Sequence, residues 1–284
     1  MIPKHPDTVF SNKDLIPTFI SQKAPLIFKL GEDFSYNNVN YNILALIIEK
    51  LTGLSFESYL KARIFKPAGM KNTSLSLLFK RKDNNLSKRY RLKYPYSDKV
   101  ELADTTSEFK IIYSFDFQGH GDIISTTHDL LKYDGALYNK SLLSKATLKE
   151  AFLPVKLSNG KENIQRYALG WITRADTSMG EIFKHDGVIP GLRSMLLRNI
   201  TRHQTIIIFN NTANNVIPLS DNALSILNGA LTENPKQSGA RIFGVGLAYK
   251  GMEAADRALA KIKKDTLKYF LSEDELNSLE YSFM

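Results

Sequence analysis

Apolar residues first recur at helical spacing over residues 39–51, where Tyr41, Leu44, Ala45, Ile48 and Leu51 share a face. Ile43 and Ile47 widen that stripe, which predicts a deeply buried helix stopped by Gly53. Ser55 caps a second helix, with Phe56, Tyr59, Leu60 and Ile64 inward and Pro67 and Gly69 at its end. Before them, Pro3, Pro6, Pro17 and Pro25 leave residues 1–35 as loop with short helical pieces. Residues 74–117 have weak periodicity and predict an extended, loop-rich excursion. Gly119 and Gly121 mark a tight turn. Thr126 and Asp129 then have the spacing of a capping box, ahead of a helix carrying Leu130, Tyr133 and Leu137. A short helix after Ser144 turns Leu148 and Phe152 inward.

From Tyr167 the period changes to that of strands, over residues 167–172, 181–185, 191–200 and 204–210. Their short connections predict an antiparallel meander. Thr205–Phe209 is apolar on both faces, which suits a central strand covered on both sides. Ser220 is placed to cap a helix with Ala223, Leu224 and Leu227 inward. Residues 231–246 read as a linker and 247–284 as a helical tail, whose stripe is Ala255, Ala258, Leu259, Ile262 and Phe270. The predicted architecture is α+β: one domain over 1–230, with a mostly helical lobe at about 36–155 and an antiparallel sheet at about 165–230, flanked by helices.

Composition narrows the function classes. With 284 residues, 43% hydrophobic and 24% charged, the chain can bury a core and is neither disordered nor fibrous. The absence of cysteine excludes disulfides, thiolate catalysis and Cys-ligated metal. The net charge of +9 gathers partly in Lys80–Lys93, a solvated basic loop. It comes without the aromatic–basic interleaving of a nucleic-acid module, so no nucleic-acid partner is expected. No apolar run reaches the roughly 20 residues of a membrane span, and Met1–Pro6 has no apolar leader. His5, His120, His128, His185 and His203 show no metal-ligand spacing, and no metal is expected.

Six stretches carry the candidate chemistry. Residues 31–41 read Gly31-Glu32-Asp33-Phe34-Ser35-Tyr36-Asn37-Asn38-Val39-Asn40-Tyr41, and Ile64–Met70 with Asn72-Thr73 follows. Gly119–Leu130, Tyr167–Trp171, His185-Asp186-Gly187 and Asn210 come next, in that order. Over about residues 30–228 this succession resembles the serine β-lactamase and penicillin-binding-protein family, meaning β-lactamases of the AmpC type, D-Ala-D-Ala carboxypeptidases and related esterases.

The resemblance implies an antiparallel sheet with helices on both faces, a helical lobe, and an active site where the two meet. It implies a small peptide-like, lactam or ester substrate, hydrolysed through a serine acyl-enzyme without any cofactor. Tyr36 matches the tyrosine of a Tyr-x-Asn element that moves protons, as a base if a nearby cation lowers its pKa. Asn38 matches the asparagine that binds substrate amides, and is also a candidate helix cap. His185, Asp186 and Gly187 match the element that reads Lys-Thr-Gly or His-x-Gly. Gly187 clears space for a substrate at the strand edge, and the Val188 N–H would complete an oxyanion hole. His120 is a candidate substrate contact or a turn residue, and Arg193 a candidate for a substrate carboxylate or a surface strand arginine. Tyr167 and Trp171 read as core or cleft-wall aromatics.

The chain departs from the family at the nucleophile. No Ser-x-x-Lys precedes Tyr36, and the literal matches Ser58–Lys61 and Ser158–Lys161 fall late in a helix and in a turn. No nucleophile is therefore assigned. The expectation is an N-terminally truncated domain, lacking its first strands and nucleophile helix, inactive as given and able to self-associate through an exposed sheet edge. The rival expectation is a non-catalytic peptide- or peptidoglycan-binding scaffold of the same fold. Full-length relatives are often exported, and the compartment stays open.

Overall fold

The computed structural model describes residues 10–23, 25–75, 85–92, 99–105, 115–174, 178–212, 214–230 and 236–283. His5, much of the basic stretch Lys80–Lys93 and part of the expected linker lie outside them. The chain divides into two units, each drawn from separated segments. The first comprises Met1–Leu86, Ser107–Gly187 and Ser194–Phe209, and the second Ser87–Thr106, Val188–Arg193 and Asn210–Met284.

The elements begin with β1 (Phe10–Ser11), α1 (Leu15–Gln22), α2 (Asn38–Thr52) and α3 (Phe56–Leu60), which runs on as a π-helical turn over Lys61–Phe65. Then come β2 (Ser74–Leu75), β3 (Tyr90–Leu92), β4 (Val100–Leu102), β5 (Phe115–Asp116) and β6 (Ile123–Ile124). They are followed by α4 (Thr127–Tyr138), α5 (Lys145–Ala151), β7 (Ile172–Thr173), β8 (Ile182–Ile189), β9 (Leu192–Asn199) and β10 (Gln204–Asn210). The last elements are α6 (Ile217–Leu227), β11 (Gln237–Ser238), α7 (Gly239–Lys250), α8 (Met252–Lys264), β12 (Tyr269–Phe270) and α9 (Glu273–Phe283).

Local signals place most helix starts. The Ser55 hydroxyl accepts from Ser58 N, and Ser144 accepts from Thr147 N, each satisfying a donor the helix leaves open. Thr126 likewise accepts from Asp129 N at 3.1 Å. The capping box is only half made, because the Asp129 carboxylate turns elsewhere, to Asn72 N at 2.6 Å, Thr73 Oγ1 at 3.0 Å and Lys132 Nζ at 2.8 Å. Ser220 is not a cap: α6 starts at Ile217, and the buried Ser220 hydroxyl bonds back to Ile217 O. α7 begins inside the stretch expected as linker, capped by Ser238.

The main sheet has the order β10-β9-β8-β7. β7 and β8 are antiparallel. β8 and β9 are neighbours joined by the turn Pro190–Gly191, which obliges them to run antiparallel too. β10 is an edge strand of this sheet among the described residues, not its centre, and Phe209 is exposed on it. In the first unit the core gathers Leu137 of α4, Phe152, Ala168, Trp171 and Phe183 of β8, with Phe152 stacked on Phe183 at 4.0 Å. Arg198 of β9 is buried in this core and paired with Asp134 of α4. A second cluster joins α2 to α3 and β2 through Ala45, Phe56 and Leu75.

α2 is less buried than its periodicity implies. Ala45 is inside, but Leu44, Ile47 and Leu51 are 51%, 46% and 80% exposed. In the second unit, β3 and β4 pair antiparallel and β11 and β12 pair parallel. α7 meets α8 where Gly246 lies against Ala255, so closely that a Cβ there would sit 3.3 Å from the Ala255 Cα. Ala255 and Ile262 are buried as expected, while Phe270 belongs to β12 and not to the helix. Among the described residues, no helix is long and apolar enough to cross a membrane.

Candidate active site

α2 and the segment before it position the first candidate residues. Asn37, in extended backbone, caps the helix through its Oδ1, which accepts from Val39 N at 2.9 Å. Asn38 is therefore the first helical residue and not the cap. Its amide is exposed and makes no hydrogen bond among the described residues.

Tyr36 precedes the cap. Its ring lies 5.5 Å from Tyr167, 6.0 Å from Tyr41 and 6.1 Å from His185, centroid to centroid. Phe34 reaches Tyr167 at 5.4 Å. The loop before α2, α2 itself, the segment before β7 and β8 thus each bring an aromatic or imidazole ring to one place.

Beneath Tyr36 runs a chain of polar groups. Tyr41 and Tyr167 share a hydroxyl–hydroxyl hydrogen bond. Tyr167 Oη is 3.0 Å from His185 Nε2, and His185 Nδ1 is 2.7 Å from the Asp186 carbonyl oxygen. Asn163 holds Tyr167 from behind: Oδ1 accepts from Tyr167 N and Nδ2 donates to Tyr167 O, both at 2.8 Å. Sequence reasoning missed the chemistry of Tyr41 and Tyr167, reading one as a helix-face residue and the other as core or cleft wall. The 31–41 and Tyr167–Trp171 blocks pointed to the region but not to the two hydroxyls.

The electrostatics leave one condition of the base reading unmet. Burial, then Tyr41 and the Asp186 carboxylate, push the Tyr36 phenol above the usual tyrosine value. Among the groups that shift it there is no cation to lower it. Tyr36 is therefore a protonated donor at neutral pH, and its hydroxyl makes no hydrogen bond among the described residues. Burial, the largest cause, pushes Tyr167 far up as well.

His120 sits on a loop fastened to α2. Gln118 O accepts from Asn12 and Asn42 side-chain amides, each at 2.8 Å, and Asn42 Nδ2 lies 2.8 Å from His120 Nδ1. Gly119 has φ +114°, and a Cβ on it would stand 2.4 Å from Tyr41 O. The tight approach needs glycine. Burial lowers the His120 pKa, against the opposing pull of Asp122.

On β8, β7 pairs only with Phe183 and Lys184, so that ladder stops one residue before His185. The space Gly187 leaves is filled by the Ser194 hydroxyl of β9, 2.4 Å from where a Cβ would be. Its bareness therefore serves the neighbouring strand. Val188, 55% exposed, and Arg193 belong to the second unit. Trp171 is core, edge-on to Phe152 at 5.5 Å. Asn210 ends β10 and accepts from Thr212 N at 2.9 Å.

The literal Ser-x-x-Lys serines stand apart from this chemistry. Ser58 is exposed in α3, bonded to Ser55 Oγ at 2.8 Å. Ser158 begins a turn closed by Gly160 N to Leu157 O at 2.9 Å, and its own N–H donates to Gly31 O.

A sequence model of the family described as Beta-lactamase matches residues 13–229. The chain is 34% identical to penicillin-binding protein 4* of Bacillus subtilis (strain 168) over 204 residues, which is 70% of this chain and 44% of that protein. It thus spans less than half the length of this curated relative. Among solved structures it is similar to a penicillin-binding protein from Bacillus halodurans, with TM-score 0.63 and 21% identity over 76% of this chain and 62% of that one. It is also similar to the D-amino acid amidase from Ochrobactrum anthropi SV3, with TM-score 0.59 and 20% identity over 80% of this chain and 67% of that one. These two likenesses concern the fold.

Proposed function

Because the chain belongs to the β-lactamase family, we propose that Tyr36, Asn38 and the His185–Gly187 strand end form a binding site for an acyl compound: a lactam, a peptide of D-amino acids or a simple ester. The observation that carries this reading is the approach of the Tyr36 ring to His185, 6.1 Å, between an uncommitted phenol and the end of a strand ladder. The Asn38 amide offers a donor and an acceptor for a ligand amide. Tyr36 offers a proton donor for a carbonyl or leaving group. The open side of β8 offers backbone groups to an extended peptide. All of these residues belong to the first unit.

Hydrolysis through an acyl-enzyme needs a serine beside Tyr36 as well. None of the described serines hydrogen-bonds to Tyr36, Tyr41, Tyr167 or His185. The reading for these 284 residues is therefore binding without turnover, and serine hydrolysis for a polypeptide that brings a nucleophile to the same cluster.

The test joins intact-mass detection of adducts with equilibrium titration. A fluorophosphonate and a chromogenic lactam should leave no covalent adduct. A D-alanyl-D-alanine peptide or a penicillin-type lactam should bind, and Tyr36→Ala or Asn38→Ala should weaken binding roughly fivefold or more. An adduct would overturn the absence of turnover. Binding indifferent to both substitutions would remove the site.

A further inference from the structure

The Tyr41–Tyr167–His185 chain has a direction, and one backbone carbonyl sets it. His185 Nδ1 lies 2.7 Å from Asp186 O. A carbonyl oxygen only accepts, so Nδ1 carries the ring proton. When the ring is neutral, Nε2 is then bare. Tyr167 Oη, 3.0 Å away, must donate to it. With its one proton committed there, Tyr167 accepts from Tyr41 in their shared bond. Each assignment forces the next.

We propose that Tyr167 is a positioning residue, which holds His185 as the Nδ1–H tautomer with both ring nitrogens engaged inside the protein, so that the hydroxyl of Tyr36, and not the imidazole, meets a ligand at this cluster. Tyr167 is built for such a role. It is 6% exposed, and Asn163 brackets its peptide N–H and C=O. The rings of Phe34 and Tyr36 lie against it at 5.4 and 5.5 Å. A side chain so fixed can select one tautomer, because the second partner of an imidazole decides which nitrogen keeps the proton. Tyr36, by contrast, keeps its hydroxyl free of hydrogen bonds among the described residues and is 38% exposed.

The tautomer stands on hydrogen-bond chemistry alone. Its consequence for a ligand rests on the binding reading given above. Long-range 1H–15N correlation spectra of the 15N-labelled chain, recorded above the pH range in which imidazoles titrate, identify the protonated nitrogen of each histidine. A His185→Gln spectrum assigns the signals. His185 is expected in the Nδ1–H pattern. In Tyr167→Phe the ratio of Nδ1–H to Nε2–H should fall roughly fivefold, the effect of one lost hydrogen bond. A native His185 in the Nε2–H form overturns the proposal, and so does a Tyr167→Phe ratio equal to the native one. Should Tyr167→Phe fail to fold, the native spectrum alone decides. No ligand takes part, so this result and the peptide and lactam titrations fail independently.

Discussion

Replacing Asp134 by Ala should strongly destabilise the first unit. Arg198 has 0% side-chain exposure and Asp134 5%, and the two form an ion pair. Thr205 Oγ1 donates to the other carboxylate oxygen at 2.6 Å. The Arg198 guanidinium also lies 4.6 Å from the Tyr138 ring, 5.6 Å from Phe152 and 5.9 Å from Trp171. Among the described residues, its Nη1 and Nη2 find no hydrogen-bond partner. Asp134→Ala would leave a cation in an aromatic shell with no counter-charge. Removing one partner of a buried pair costs about 3–5 kcal/mol, and the stranded Thr205 hydroxyl adds about 1 kcal/mol. Typical domain stability is about 5–15 kcal/mol, so the loss is a large part of the total. Urea unfolding followed by fluorescence reads it directly, since the chain has 1 tryptophan and that residue, Trp171, lies over the guanidinium. The double change Asp134→Leu with Arg198→Met should recover most of the loss, because removing both charges also removes their desolvation cost. A single variant within about 1 kcal/mol of the native chain, or a double variant no better than the single, would refute the argument.

Further outcomes follow from the same structure. Burial is the leading cause that raises Tyr36, Tyr133, Tyr138 and Tyr167. The native state thus keeps protons the unfolded chain gives up, so stability is full below the ordinary tyrosine pKa of about 10 and falls as pH rises beyond it. Urea midpoints measured across that range should decline, and a flat profile would contradict the shifts. At the acid end, burial alone would raise Asp129, but Lys132, Asn72 N and Thr73 outweigh it and hold it below its usual value. Its contribution is present above the ordinary carboxylate value and lost as pH falls through the folded one. Asp129→Asn should flatten that acid limb in the same urea series. Gly119→Ala should cost about 2 kcal/mol or more, from positive φ and a clash with the Tyr41 carbonyl, read as a lower midpoint. A neutral result would mean that the loop is not held against α2.

What the sequence disclosed was local. Ser55, Thr126 and Ser144 start their helices as expected, because a capping hydroxyl answers donors within a few residues. Gly53 stops α2 in the left-handed conformation, φ 69°. The β8–β9–β10 run was legible from alternation and short turns. What stayed hidden depends on distant partners. Tyr41 and Tyr167 are 126 residues apart, and neither identity betrays a hydroxyl pair. Asp129 reads as half of a capping box until Asn72 and Thr73 claim its oxygens. β10 looks central because both its faces are apolar, yet sheet order is a non-local property and, among the described residues, puts it at an edge. Tyr36 and Asn38 were singled out through the resemblance. Their open hydroxyl and amide, and the raised Tyr36 phenol, required coordinates.

The outer stripe of α2 sets a temperature rule for anyone handling the chain. Leu44, Ile47 and Leu51 hold apolar surface against water on successive turns of one helix. Contact between such surfaces is driven by released hydration water, so it weakens on cooling and tightens on warming. Scattering from concentrated solutions should therefore rise between ice and room temperature, well before any unfolding, and Leu51→Lys should mute that rise.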